Sequence, residues 1–461
     1  MIFLLNFVPA LVLTVYFLTR KRLDPFEPVT IALSYLALNT ALSGVSLLAG
    51  ASTDTGSDYL RSIGLSASSY LTAATLEISA FLAFLLGYSV HPRALRFRIG
   101  RYLSQPVSLA HGKAVPLVLT FSLAVLGAIG LRDLIISFSI DLTSIESISR
   151  KRFVNLGDSE VSGAAGYTRW LAQFSQYAAL LFLAYAYSRQ PRLTPAQLVF
   201  AVLLIIMAVL PPFLTSSRFA LISSLLSAMM VVHYLKKPIS LKTLGIVGVL
   251  AILSIAILGE LRQLRGGTQI NISAASVVAS IGDRENAGFS LTARIIEQMP
   301  SDWNYQFGQT YMNWIFAPVP RSIWPDKPLI SLGQEVKVFL FDRSVARGGG
   351  VPPSSAGEMY INFGLLALFL SPVFTFIGGV ISKSVYWQLV RNNSTSFSIF
   401  VYAVLFMNVL PNLFWTQFSK SMVDLIKLLV ILFVVRLIVR LFSSSRVVAR
   451  DVRHMSTMRA S

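Results

Sequence analysis

Long apolar runs, separated by shorter polar segments, recur from the first residues of the chain into its last quarter. Runs of spanning length lie at roughly 2–18, 28–50, 67–90, 113–132, 167–187, 196–214, 218–235, 242–260, 359–382, 396–414 and 421–441. A helix needs about 20 such residues to cross the hydrocarbon core of a bilayer. The pattern therefore predicts an all-α polytopic membrane protein with about eleven transmembrane helices. Composition agrees: 13% of residues are charged, 54% are hydrophobic and the mean hydropathy is +0.65. A soluble domain carries about 25% charged residues, so this chain lacks the polar surface that a water-facing fold of 461 residues needs.

The polar segments set the organisation. Helices one to eight fall within 1–260, with an outer loop at 133–166. A second outer loop of nearly a hundred residues covers 261–358, helices nine to eleven occupy 359–441, and a basic tail fills 442–461. Pro and Gly cluster in the second loop, as turns of an ordered irregular segment. Two amphipathic stretches there, Leu291–Met299 and Leu329–Phe341, suit either short helices on the membrane surface or elements filling a small core of the loop itself. The net charge of +18 is distributed as the positive-inside rule requires. Basic clusters follow every odd-numbered run: Arg20 to Arg22, Arg93 to Arg101, Arg189 and Arg192, Lys236 to Lys242, Lys383 and Arg391, and Arg446 to Arg459. That places the N-terminus outside and the C-terminus in the cytoplasm, and it removes nucleic acid as an explanation of the charge. No signal-peptide n-region or cleavage site precedes Ile2–Leu18, which reads as a retained first span. With no cysteine, thiol and disulfide chemistry are excluded.

Against that frame, cations on the outer side stand out. Arg152, in the 133–166 loop, and Arg294 and Arg321, in the long loop, fall where basic residues should be sparse, although long translocated loops escape the rule. The planar fork of arginine grips phosphate oxygens in pairs, which points to an anionic substrate. Arg218 follows Thr215-Ser216-Ser217 and the Pro211-Pro212 pair in a tight turn. A cation at a helix N-terminus opposes the helix dipole, so another interaction should hold it: a lipid headgroup, a loop carboxylate or a substrate. Glu358 lies where the long loop re-enters the membrane. It can serve as a general base or simply suit the N-terminal dipole of its helix. The histidines, His91, His111, His233 and His454, all fall on or near the cytoplasmic side, which leaves no outer histidine base or metal site. No Walker motif is present. The few ionisable residues within spans, Glu77, Asp424, Lys427 and Arg436, count against a proton-driven transporter.

Three segments carry a resemblance. Ala317-Pro318-Val319-Pro320-Arg321-Ser322-Ile323-Trp324-Pro325-Asp326-Lys327-Pro328 resembles the PR-x-x-W-P-x-K-P stretch of bacterial oligosaccharide repeat-unit polymerases, the Wzy-type O-antigen polymerases. Gly357-Glu358-Met359-Tyr360-Ile361-Asn362-Phe363-Gly364 resembles the G-E-x-Y-x-N-F-G that follows it. Thr215 to Arg218 resembles the S-R that opens a central span, and Arg152 with Gly163 resembles arginine–glycine patterns of the periplasmic loops.

The resemblance implies a GT-C-like bundle in the bacterial inner membrane with a large periplasmic loop. It implies a glycosyltransferase that joins undecaprenyl-pyrophosphate-linked repeat units without metal or cofactor, with membrane lipids and a chain-length regulator protein as further partners. Pyrophosphate is a good leaving group that needs stabilisation of its charge more than an acid. Arg218 and Arg321 are placed at the pyrophosphate, with Arg152 and Arg294 as additional cations. Glu358 is placed as base or acceptor-orienting group. Trp324, Lys327 and Tyr360 join the substrate-binding set, the aromatics either stacking on sugars or anchoring at the interface. Competing readings are an O-antigen ligase-like transferase, for which the outer histidine is missing, a lipid-linked oligosaccharide flippase or exporter, and a scaffold without its own chemistry.

Overall fold

The computed structural model describes residues 2–19, 24–50, 64–90, 114–137, 159–188, 193–214, 218–240, 242–248, 288–319, 323–341, 350–392, 395–410, 414, 416–435 and 437. Among these there is no strand. A 3₁₀ turn at Ile2–Phe7 leads into α1 (Val8–Thr19), followed by α2 (Pro28–Gly50), α3 (Ala67–Ser89), α4 (Ala114–Ser137), α5 (Ser159–Ser188), α6 (Pro195–Leu214) and α7 (Arg218–Leu235). Shorter helices then fold part of the second loop: α8 (Phe289–Gln298), α9 (Gln309–Met312) and α10 (Leu332–Phe341). The chain re-enters the bundle through α11 (Ser355–Phe363), α12 (Ala367–Tyr386), α13 (Ser396–Asn408) and α14, residues 418–435.

Among the described residues, five helical stretches are long and apolar enough to cross a membrane: Pro28–Val45, Ala67–Ser89, Pro116–Ile136, Pro195–Leu214 and Ser355–Arg391. Shorter apolar helices lie at Phe3–Thr19, Ala220–Leu235 and Ser396–Phe406. Of the run at 242–260, only the helical start at 242–248 is described. On α6, Leu198, Val199, Val202, Leu203, Ile205 and Ile206 all point outward and exposed. A face that apolar requires lipid around it, because soluble surfaces rarely carry so large a patch. Pro211 and Pro212 do not end α6, which continues to Leu214. Having no N–H, they withdraw from the last turn the two donors that would reach the carbonyls of Met207 and Ala208.

Lipid-embedded helices have little hydrophobic drive to associate and pack through small residues instead. The α3–α12 pair shows why. A Cβ at Gly87 would lie 2.0 Å from the Phe376 carbonyl oxygen, and one at Gly379 would lie 2.2 Å from that of Phe84. One turn further along, the Thr375 hydroxyl donates to the Ala80 carbonyl at 2.6 Å. The α4–α5 pair repeats the device, with Gly127 and Gly130 against the backbone at Ser175 and Ala172.

At one end of the α3–α12 pair, the segment before α2 forms a half-buried polar cluster. Asp24 accepts hydrogen bonds from the phenols of Tyr234 (3.0 Å) and Tyr386 (2.7 Å) and from the Phe26 amide (3.0 Å). Glu27 accepts from Tyr88 (3.0 Å) and Tyr16 (3.4 Å). Tyr402 donates to the Phe26 carbonyl, and Arg391 donates to the Tyr386 oxygen. This end contains the C-termini of α3, α7 and α12.

Candidate functional site

The opposite end of the same helices carries the second polar cluster, built around α11. Ser354 starts this helix: its hydroxyl accepts from the Gly357 amide at 2.9 Å, an N-cap bond that satisfies an otherwise unpaired donor. Gly364 stops it in the left-handed region (φ +58), with the Tyr305 ring 2.8 Å from where a Cβ would stand. No other residue fits both the angle and the space.

Within this one helix, Glu358 and Asn362 are one turn apart and share a face. Glu358 is 2% exposed, and both of its oxygens are engaged. Oε1 accepts from the Thr310 hydroxyl at 3.0 Å, and Oε2 from the Phe418 amide at 2.8 Å. Asn362 donates to the Thr310 oxygen (2.7 Å) and to the Glu358 carbonyl (2.8 Å), while its own oxygen accepts from the Gly308 amide (2.9 Å). Backbone bonds from Gln306 and Phe307 to Ile361 and Asn362 complete the clasp, and Ser419 donates to the Thr310 carbonyl. The helix that re-enters the membrane, the loop at 305–310 and the start of α14 are thereby tied into one unit.

A second carboxylate adjoins it. Glu77, buried on α3, accepts from the Thr292 hydroxyl of α8 at 2.6 Å and from the Ser354 hydroxyl. Ser354 therefore caps α11 and bonds Glu77 at once. On α8, Glu297 reaches the other way and accepts from the Ser66 amide and from the hydroxyls of Ser66 and Ser69 at the start of α3. Although burial opposes its ionisation, the hydrogen bonds from Ser69 and Ser66 hold the Glu297 carboxyl below its usual pKa. Burial pushes Glu335, on α10, from its ordinary 4.5 up to about 7.

The apolar faces of α8 and α10 meet each other and α11: Leu291, Ile295, Leu332, Val336, Met359 and Ile361 share one core. Of the two readings of these amphipathic stretches, the structure supports the internal core.

The remaining candidates fall as follows. Arg218 is the first residue of α7, whose far end brings Tyr234 to Asp24. An 18-residue helix is about 27 Å long, which sets Arg218 well away from the Asp24 cluster. Arg294 lies on α8, half-buried. Arg152 and Arg321 lie outside the described residues. Lys327 is buried, and its ammonium donates to the carbonyls of Val319 (2.7 Å) and Ala317 (3.4 Å). Trp324 is exposed, with Phe316 against its edge at 5.3 Å. Tyr360 is buried against the edge of Tyr305 and offers no open ring face.

Sequence reasoning missed Thr310, Thr292 and Ser354 as partners. Only Ser354 had a local signal, as an N-cap serine before an apolar run. Among the described residues, no group of three or more His, Asp and Glu side chains is placed to hold a metal.

Comparison with known proteins bears on this arrangement directly. Two curated relatives, both named O-antigen polymerase, come from Salmonella typhimurium and Salmonella typhi. Each is 32% identical to this chain over 81 residues, which is 17% of this chain and 19% of the relative. The aligned part thus spans about a fifth of the length of these relatives. No solved structure matches. A far longer stretch, residues 134–445, matches the family described as O-antigen polysaccharide polymerase Wzy. That stretch takes in α5 to α14 and with them the whole Glu358–Thr310–Asn362 unit, and by this match the chain, a multi-pass membrane protein, belongs to the O-antigen polysaccharide polymerase Wzy family.

Proposed function

We propose that the protein polymerises undecaprenyl-pyrophosphate-linked oligosaccharide repeat units at the periplasmic face of the inner membrane, by metal-independent glycosyl transfer. The observation that carries this reading is the family match over residues 134–445. An acceptor hydroxyl of one lipid-linked unit attacks the anomeric carbon of the growing glycan. The new C–O bond forms as the bond to the lipid pyrophosphate breaks, and the hydroxyl proton leaves to a base or to water. Charge develops on the departing pyrophosphate, and fixed cations lower that barrier. Arg218 and Arg321 are assigned to this role, with Arg152 and Arg294 extending the cationic surface.

Glu358 is assigned a positioning role. A carboxylate that already accepts two hydrogen bonds in a closed pocket is suited to hold α11, the 305–310 loop and α14 in register, and through them the acceptor. Lys327 is assigned to holding the loop of Arg321, and Trp324 to the sugar or the interface. In this reading eleven helices place the N-terminus in the periplasm and the C-terminus in the cytoplasm, and a chain-length regulator is a partner.

The test uses purified protein in detergent with defined undecaprenyl-pyrophosphate repeat units, in the presence of a chelator. A ladder at repeat-unit spacing is expected, and it should vanish in Arg218→Ala and Arg321→Ala variants that still fold. A single transfer to a lipid A acceptor, with no ladder, would favour the ligase-like alternative. Failure of folded protein to make any product would reject the transferase reading.

A further inference from the structure

Around α9 several side chains invert the ordinary distribution of polar and apolar residues. Two polar residues point inward, although Gln309 beside Thr310 stays exposed: Thr310 is 3% exposed and Asn313 is 5% exposed. Thr310 holds Glu358 and Asn362, and Asn313 donates to the Leu329 carbonyl at 3.1 Å. Five large apolar residues point outward. Phe307 is 81% exposed and Ile323 is 75% exposed, with Met312, Ile315 and Trp324 exposed between and beside them. Met312 and Ile315 are three apart, so one face of the turn formed by α9 and the 3₁₀ segment Asn313–Phe316 is apolar outward while Thr310 and Asn313 form the inner one. In water this arrangement would expose the wrong side.

Phe307 adds a backbone observation. It is the one non-glycine residue with positive φ among those described, at 45°. A bulky side chain in that region is strained and needs surrounding structure to hold it there. Here the holding is visible, because its amide donates to the Asn362 carbonyl and Gly308 beside it is tied to the Asn362 side chain. The strain aims an aromatic ring away from the protein. Asn362 lies in the spanning segment Ser355–Arg391, and three residues beyond it the outward face begins, where Leu365, Leu366 and Phe369 are exposed. Phe307 therefore continues a lipid-facing surface instead of starting an isolated patch.

We propose that the outward apolar face formed by Phe307, Met312, Ile315, Ile323 and Trp324 is a membrane wedge, seated in the acyl-chain boundary of the leaflet on the Glu358 side. Interfacial elements of this kind bury their apolar face about 5–10 Å into the headgroup boundary. Trp324, with Asp326 exposed just after it, suits the headgroup level.

The absence of cysteine allows a direct test. Nitroxide labels are attached to Phe307→Cys, Met312→Cys, Ile315→Cys and Ile323→Cys variants in phosphatidylethanolamine–phosphatidylglycerol vesicles. Power-saturation spectroscopy then compares accessibility to oxygen with accessibility to a nickel chelate. Phe369→Cys on α12 is the lipid reference, and Asp302→Cys, on an exposed turn, is the aqueous one. The oxygen-to-nickel ratio at positions 307 and 315 should match the lipid reference and exceed the aqueous one several-fold, with 323 between them. A ratio at all four positions equal to that of Asp302→Cys would overturn the wedge. Low accessibility to both reagents would also overturn it, by showing that protein covers the face. Neither outcome bears on polymerase activity, which is read separately from the ladder.

Discussion

The two ends of the α3–α12 pair solve the same problem with different chemistry. Each encloses two carboxylates, Glu77 and Glu358 buried at one end, Asp24 and Glu27 half-buried at the other. At the Glu358 end the donors are short: threonine and serine hydroxyls and backbone amides. At the Asp24 end they are tyrosine phenols projected from four helices. A short donor works only if its backbone is already in place, so the Glu358 end depends on exact chain register. A phenol brings a large apolar ring that is buried for its own sake, and the long lever lets it reach a carboxylate from several backbone positions. The first end is specified by geometry and is sensitive to displacement. The second is an aromatic plug that tolerates the loss of one bond. Function is expected at the end where geometry is dictated most narrowly.

The contrast can be broken most severely at the crossing that joins the ends. Gly379→Leu places a branched side chain where even a Cβ meets the Phe84 carbonyl at 2.2 Å. Overpacking of this kind costs about 3 kcal/mol or more, and both clusters should be lost together. No monodisperse protein is expected by size-exclusion chromatography in detergent.

Next in size is Glu358→Ala, which strands the Thr310 hydroxyl and the Phe418 amide. At about 1–3 kcal/mol for each orphaned donor, the melting temperature should drop clearly and the ladder should disappear. Glu358→Gln keeps one acceptor and should fall between. If Glu358→Ala melts like the parent, the positioning role is wrong.

The matching change at the other end is smaller. Tyr386→Phe removes one of three bonds to Asp24 and keeps the ring, a loss of about 1.5–3 kcal/mol at most for a bond to a charged group. Polymer length and yield should be unchanged. A loss of activity as large as that of Glu358→Ala would erase the distinction between the ends.

The smallest effect concerns pH. Because burial raises the Glu335 carboxyl to about 7, the folded state binds a proton that the unfolded chain releases near 4.5. Stability should therefore fall as pH rises from about 4.5 to 7 and level off above, by about 1 kcal/mol once solvent screening of this half-exposed group is allowed for. Glu335→Gln should flatten that slope in thermal melts collected across the range.

Much of the helical framework was legible in the apolar runs. The run at 67–90 became Ala67–Ser89, and that at 196–214 became Pro195–Leu214. Hydrophobic length is a local property and survives in the sequence. The clusters are not local. Glu358 meets a hydroxyl 48 residues away, and Glu77 one that is 215 residues away. No periodicity encodes such pairs. Glu358 was conspicuous because it stands in a motif where an apolar run begins, whereas Thr292 and Thr310 sit in polar surroundings that look like any loop. The Asp24–Glu27 cluster escaped notice for another reason: two acids following Arg20 to Arg22 look like part of a solvated charged loop, and only the folded structure shows tyrosines closing over them. Lys327 was recognisable as part of a motif, but its burial against two carbonyls was not.

The glycine crossing of α3 and α12 also bears on how this chain can diverge. Every amino acid that could replace Gly87 or Gly379 adds at least one carbon, and that carbon would overlap a carbonyl of the facing helix. No single substitution in the partner relieves the overlap, since the obstacle is main chain and cannot mutate away. The two positions are therefore frozen for any descendant that keeps this helix spacing, while the lipid-facing leucines a turn away are free to drift. Distant kin would be recognised by this pair of absent side chains long after their apolar surfaces have ceased to align.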